Sequence, residues 1–282
     1  MENVAAEKVA NASKLAEQKE KKLEVDRLPA INDDIQGDEK KYKLKKVLGE
    51  GGYGTVFLSQ DGERSVAVKT EKFSKSMLHI DVGVLKAAKA AKARHFCELI
   101  DYGSNKPDYV YMVMTLLYKD LHKLRNEMPD KRFTISTSLR VSMQSLKAIE
   151  ELHKLGYISR DIKPGNFAPG HRCNRQSKII FLYDFGLSKR YIDKDLGRRD
   201  DLESWFYMIV EMTRGTLPWR FVSERNAVGS AKQAARGAGR KQFLYETPKQ
   251  FDRILTMVDS YSFESQPEYE KIYKTLEEVR FL

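Results

Sequence analysis

The sequence predicts an α+β chain of two lobes: a small β-rich N-terminal lobe with one main helix, then a larger, mainly α-helical C-terminal lobe. Three observations predict it. From Tyr42 onward, apolar residues alternate in short runs broken by glycine turns, as in KYKLKKVLGEG and DGERSVAVKT. Farther along, apolar residues recur at helical spacing, at Leu139, Met143, Leu146, Ile149 and Leu152, and again at Leu202, Trp205, Phe206, Ile209 and Val210. With 282 residues and 41% hydrophobic content, the chain can bury a core in one large domain or two lobes.

Taken in order, residues 1–40 are charged and Ala-rich, with Val4, Val9, Ala12, Leu15 and Leu23 only loosely spaced for a helix and Pro29 and Gly37 interrupting. They read as an N-terminal extension, partly helical or disordered, ahead of one domain over 41–282. Its small lobe is expected over about 41–115 and its large lobe over about 118–282. Residues 41–51 read as a strand ending in glycines, and two more strands flank the Asp61-Gly62 turn. A helix is expected over 77–94 and a strand over 109–118. In the large lobe, the 139–152 helix stops at Gly156, residues 178–183 form a short strand, and the 202–210 helix ends at Gly215. Tyr207, Met208 and Met212 make that last helix apolar on most sides, which predicts burial in a core. Two further helices are expected around Phe251–Val258 and Tyr269–Val279.

Composition narrows the setting. The two cysteines, Cys97 and Cys173, have no metal-type or C-x-x-C spacing, so a reduced cytoplasmic location is expected, with the nucleus as a second site. The first 22 residues carry charges throughout, without the apolar run of a signal peptide, and Glu2 excludes the N-myristoylation pattern. The run YVYMVMTLLY is too short to span a bilayer. A net charge of +10 favours acidic or phosphorylated partners. Between Arg214 and Lys241 stand seven basic residues and one acid, Glu224. That stretch is either a solvated face or an anion-binding surface.

Four short motifs carry chemistry. Gly49-Glu50-Gly51-Gly52-Tyr53-Gly54-Thr55-Val56 fits G-x-G-x-x-G-x-V, whose glycines let backbone N–H groups approach phosphate oxygens. Alone it is equally an ordinary hairpin turn, but it lies between two strands, which disfavours a dinucleotide fold. Thirteen residues after Val56, Lys69 ends the apolar strand Val66-Ala67-Val68, where a lysine is costly to bury unless it meets anions. Ser159-Arg160-Asp161-Ile162-Lys163-Pro164-Gly165-Asn166 sets an acid five residues before an amide. Asp161 can orient a hydroxyl and accept its proton, while Asn166 offers an oxygen to a hard cation. Asp184-Phe185-Gly186 follows Asn166 by eighteen residues and closes a strand.

In this order and on these elements, the motifs resemble the eukaryotic protein kinases, from about Tyr42 to Leu282. Lys163-Pro164 resembles the serine/threonine class. Arg198-Arg199-Asp200-Asp201-Leu202-Glu203-Ser204 and Gly215-Thr216-Leu217-Pro218-Trp219 are similar to the casein kinase 1 superfamily. Phe206-Tyr207-Met208 and Val228-Gly229-Ser230 resemble its tau-tubulin kinase branch. The resemblance implies a bilobal kinase fold, ATP and Mg²⁺ as cofactors, and transfer of the γ-phosphate to protein serine or threonine by a monomer that uses neither membrane nor nucleic acid. By it, the glycine loop 49–54 covers the phosphates, Val56 and Ala67 cover adenine with Ala168 below, Met114 is the gatekeeper, and the Leu117 backbone meets the adenine edge. Lys69 holds the α- and β-phosphates, Asp161 is the catalytic acid-base, Lys163 lies near the transferred phosphate, Asn166 and Asp184 hold Mg²⁺, and Asp201 anchors the catalytic loop.

The sequence departs from that pattern in three places. The small-lobe helix offers Asp81 where a glutamate is usual, shorter by about 1.5 Å; it is either the partner of Lys69 or a surface acid. Ser159 replaces a histidine that braces the loop. Only nine residues, 187–195, separate Gly186 from Leu196, and Asp201 follows Asp184 by 17. The substrate-docking activation segment is therefore expected to be missing at about 195/196, and Arg160 loses its usual partner there. The alternative function this raises is an ATP-binding pseudokinase or scaffold.

Overall fold

The computed structural model describes residues 26–52, 54–191 and 196–279. It divides into two compact units, one running through Val82 together with Glu98–Leu116, the other comprising Gly83–Cys97 and Leu117 onward.

The first unit is built on a five-stranded antiparallel sheet, ordered β3-β4-β5-β7-β6, from β3 (Lys46–Glu50), β4 (Gly54–Asp61), β5 (Arg64–Lys72), β6 (Leu99–Asn105) and β7 (Tyr109–Thr115). Alternation gives the sheet two distinct faces. Phe57, Val66, Val68, Tyr111 and Val113 point to one side and pack into a buried cluster with Ile35, Tyr42 and Leu44. Ile35 lies in β1 (Asp34–Gln36), which pairs antiparallel with β2 (Lys41–Lys43) through Ile35↔Tyr42. This corrects the N-terminal extension: it does not run to residue 40, because 34–36 is a strand and Ile35 is 1% exposed in the core. Residues 1–25, the rest of that extension, lie outside the described residues. The single strand expected over 41–51 is also two, since the chain leaves the β1–β2 ribbon at the fully buried Leu44 before entering the sheet. Helix α1 (Leu78–Ala90) follows β5 and carries Asp81 in its first turn, continuous through Gly83.

The second unit is mainly helical. It contains α2 (Leu121–Asn126), α3 (Ile135–Lys154), α4 (Arg198–Arg214), α5 (Arg225–Arg236), α6 (Arg240–Phe243), α7 (Gln250–Ser260) and α8 (Tyr269–Val279). Between α3 and α4 lie the short strands β8 (Tyr157–Ile158), β9 (Phe167–Pro169), β10 (Ile180–Leu182) and β11 (Lys189–Arg190). Helix α4 is the core: Leu202 and every residue from Trp205 to Thr213 are buried, as its all-round apolar pattern predicts. It packs on α3 and α7, and Trp205 Nε1 donates to Ser145 Oγ of α3 at 3.0 Å. Gly215 ends α4 at φ +93°, where a Cβ would lie 2.7 Å from the Asp130 carbonyl oxygen, so only glycine suits this stop. The 139–152 helix is extended to 135–154, with Thr134 as N-cap and Gly156 at φ +82° after its end.

Candidate active site

The first unit offers one prepared sheet face. Cross-strand partners point the same way, and the register Val56↔Lys69↔Met112 with Leu58↔Ala67↔Met114 sets Val56, Lys69, Ala67 and Met114 on the face opposite the core cluster. The glycine run bridges β3 and β4, with Gly49 and Glu50 in β3 and the Gly51 N–H donating to the Gly54 carbonyl at 2.9 Å. Gly49, Gly51 and Gly52 have open space where a Cβ would be, whereas at Gly54 it would fall 1.8 Å from the Thr70 carbonyl oxygen. Tyr53 lies outside the described residues.

Lys69 Nζ lies 3.2 Å from Asp81 Oδ2 on α1. Asp81 is 2% exposed, so it is not a surface acid. Breaking a buried pair of this kind by removing one partner costs about 3–5 kcal/mol. A second carboxylate, Glu71 Oε1, stands 3.2 Å from the same ammonium. Sequence reasoning passed over Glu71. The available signal was its position two residues beyond Lys69, on the same face of the strand.

In the second unit, the loop after β8 gathers Asp161, Lys163 and Asn166. Asp161 Oδ2 accepts from Lys163 Nζ at 2.6 Å and from Asn166 Nδ2 at 2.9 Å, and Asn166 Nδ2 also donates to the Asp161 carbonyl. Asp161 Oδ1 and Asn166 Oδ1 have no protein partner among the described residues. One carboxylate oxygen thus remains to accept a proton, and one amide oxygen to meet a cation.

The loop hangs from α4. Asp201, buried at 2% exposure, accepts the Ser159 N–H at Oδ2 (2.7 Å) and the Arg160 N–H at Oδ1 (2.9 Å). These bonds hold Arg160 at φ +65°, a left-handed conformation costing on the order of 1–3 kcal/mol outside glycine. His153 Nε2 bonds to Asp201 Oδ2 at 2.9 Å, and His153 Nδ1 bonds to the Tyr269 hydroxyl of α8. The anchor is therefore tied to a helix near the end of the chain, a link no local motif announces. Ser159 Oγ accepts only weakly from the Asp161 N–H, at 3.3 Å.

Pairing brings Asp184 beside Asn166. Strands β9 and β10 pair antiparallel through Leu182↔Phe167, and the Tyr183 N–H donates to the Asn166 carbonyl at 3.1 Å. Asp184 follows at φ +67°, and Phe185 stacks on Phe96 with ring centroids 5.6 Å apart. Asn166 and Asp184 thus flank the β9–β10 pair at one end, and an amide oxygen and a carboxylate are the oxygen ligands a hard divalent cation takes. Burial pushes the Tyr183 phenol up, and its O–H donates to the Gly165 carbonyl at 2.6 Å. On the same ladder Ala168 is 1% exposed, and the Leu117 backbone bridges to Gly170.

Beyond Asp184, β11 pairs with β8 through Lys189↔Ile158, so the chain runs beside the strand that leads into the 159–166 loop. The expected junction at 195/196 falls partly outside the described residues, since 192–195 are not among them. Its flanks meet: the Arg198 guanidinium lies over the Tyr191 ring, 4.9 Å from the centroid.

The basic stretch 214–241 is not a bare solvated face. Arg220 pairs with Glu211 at 2.9 Å, Arg236 with Glu203 and Asp259 at 3.2 and 3.0 Å, and Lys232 with Glu203 at 3.9 Å. Arg240 pairs with Asp252 at 2.6 Å, and Arg214 donates to the carbonyls of Gln242 and Phe243. Most of its charge is matched within the fold, which weakens the anion-surface reading.

A family model described as "Protein kinase domain" matches residues 42–216. A probable serine/threonine-protein kinase of Dictyostelium discoideum is 31% identical over 261 residues, covering 81% of this chain and 51% of that protein. The serine/threonine-protein kinase spe-6 of Caenorhabditis elegans is 31% identical over 274 residues, 84% of this chain and 71% of the relative. A putative serine/threonine-protein kinase of the same nematode is 31% identical over 268 residues, 84% and 70% of the two chains. The chain spans about half the length of the Dictyostelium relative.

Proposed function

The chain belongs to the protein kinase family, with serine/threonine-protein kinases as relatives, and from that premise we propose that it is a Mg-ATP-dependent serine/threonine kinase of the casein kinase 1 superfamily, on its tau-tubulin kinase-like branch. The observation that carries the proposal is the Asp161–Lys163–Asn166 cluster suspended from Asp201. The superfamily rests on the RRDDLES and GTLPW stretches, and the branch on Phe206-Tyr207-Met208 and Val228-Gly229-Ser230.

Each residue then has a part. The 49–54 loop covers the nucleotide phosphates, while Val56, Ala67, Met114, Leu117 and Ala168 form the adenine surroundings. Lys69, oriented by Asp81, holds the α- and β-phosphates. Asn166 Oδ1 and the Asp184 carboxylate hold Mg²⁺, which supplies neutralisation of phosphate charge when bound. Asp161 orients the substrate hydroxyl through its free oxygen and takes its proton as the new O–P bond forms and the bond to the β-phosphate breaks, releasing ADP. Lys163 offsets charge at the transferred group. Positioning and charge compensation supply the rate, so the chemistry depends on the anchored loop geometry. The substrates proposed are acidic or phosphorylated proteins, met by a monomer in the cytoplasm or nucleus.

The Asp161→Asn variant should abolish transfer of the γ-phosphate while retaining Mg-ATP binding. Undiminished transfer by that variant would sink the assignment.

A second reading, an ATP-binding scaffold, is favoured by one observation. Asp184 and Asp201 are 17 residues apart, and the Arg198–Tyr191 contact draws the ends of the connection together, which supports a missing docking platform. Labelled Mg-ATP offered with basic, acidic and pre-phosphorylated peptides separates the two. Robust turnover removes the scaffold reading; tight nucleotide binding without turnover removes the kinase.

A further inference from the structure

We propose that Glu71 is a positioning residue for Lys69, a second carboxylate that acts beside Asp81; this rests on the reading of Lys69 as the phosphate-binding lysine. Glu71 is 3% exposed, and its two oxygens face different partners. Oε1 lies 3.2 Å from Lys69 Nζ. Oε2 accepts from Ser76 Oγ and from the Met77 N–H, both at 2.9 Å, immediately before α1 begins at Leu78. A single buried side chain therefore joins the lysine strand to the entrance of the helix that carries Asp81. Ser76 Oγ in turn accepts from the Leu78 N–H at 3.0 Å, so the bracket also satisfies free donors at the start of α1.

The backbone provides the room. Glu71 lies opposite Gly54 across β4–β5, and a Cβ on Gly54 would come 2.8 Å from the Glu71 Cα. An ammonium with three N–H donors can serve two carboxylates, one from its own strand and one from the helix. Asp81 holds Lys69 from the helix by a hydrogen bond at 3.2 Å. Glu71 fixes it from its own strand and sets the start of the helix relative to that strand.

The test needs no nucleotide. Lys69 in the full chain is labelled with a small amine-reactive ester, and its modification rate is read by peptide mass spectrometry in the native protein, Glu71→Gln and Ser76→Ala. A carboxylate that holds the ammonium withholds the lone pair that attacks the ester. Glu71→Gln should therefore speed Lys69 labelling at least about threefold, a change in accessible amine worth about 0.65 kcal/mol. Ser76→Ala removes the bonds of Ser76 Oγ to Glu71 Oε2 and to the Leu78 N–H but leaves Glu71 Oε1 beside Lys69, so it should lower the thermal midpoint without moving the labelling rate. Unchanged Lys69 labelling in Glu71→Gln, measured on protein whose far-ultraviolet dichroism and melting remain cooperative, would overturn the proposal. Equal acceleration by Ser76→Ala would also overturn it, by reducing Glu71 to a helix cap. Failure of the native protein to bind Mg-ATP, alongside the expected labelling shift, would remove the kinase reading and leave the Lys69–Glu71 linkage standing.

Discussion

Single residues here draw their properties from partners distant in sequence. Glu150 on α3 is a case whose consequence is measurable. Burial works to raise its carboxyl, but bonds from Lys154, Lys147 and Tyr273 outweigh burial and hold it below the usual carboxylate range. A carboxyl depressed in the fold stabilises above its unfolded value and loses that contribution as the pH falls through its folded value. Tyr273→Phe should thus lower the melting midpoint near neutral pH, with the gap to the native protein narrowing as the pH falls through and below the usual carboxylate range and Glu150 protonates. A gap constant across that range would show that Glu150 is not its source. Asp161, Asn166 and Asp184 were legible because their spacing is local and their strands are marked by apolar runs. Glu71 and Tyr269 were not, because an acid in a strand and a tyrosine in a helix have many ordinary uses, and only contacts distinguish them.

Elements were legible in proportion to their apolar periodicity. Strands β4, β5 and β7 and helices α3, α4, α7 and α8 all fall where alternation or helical spacing puts them. Strand β6, LIDYGSN, was missed because it is an edge strand whose outer positions are polar. Helix α5 was missed because of its residues only Ala235 is buried; it starts where the Glu224 carboxylate accepts from the Asn226 and Ala227 N–H groups. Strand β1 was hidden for a different reason: Ile35 is a lone apolar residue in a charged stretch, and its value lies in Tyr42 and the sheet behind it. Ile35→Ala should cost about 2–5 kcal/mol of stability by denaturant titration. No loss would return residues 34–36 to a dispensable extension.

At the scale of the whole molecule, the +10 charge is less available than its count suggests. Arg240 donates to Asp252 at its carboxylate and carbonyl and to Thr256 Oγ1, each at 2.6 Å, joining α6 to α7. Arg240→Ala should lower stability by about 1–2 kcal/mol and leave binding to acidic polymers unchanged. Weakened polymer binding with unchanged stability would restore the anion-surface reading. The division into a β-rich and a helical part, the four motifs and the family were all readable from the chain alone. Hydrophobic period and residue spacing are one-dimensional quantities, and both survive without coordinates. The reach of the N-terminal strand into the core, the second carboxylate on Lys69, the Tyr269–His153–Asp201 tie and the pairing of the basic stretch required the tertiary structure. Each is a contact between groups remote along the chain, and which of many chemically similar side chains meet is decided only when the elements pack.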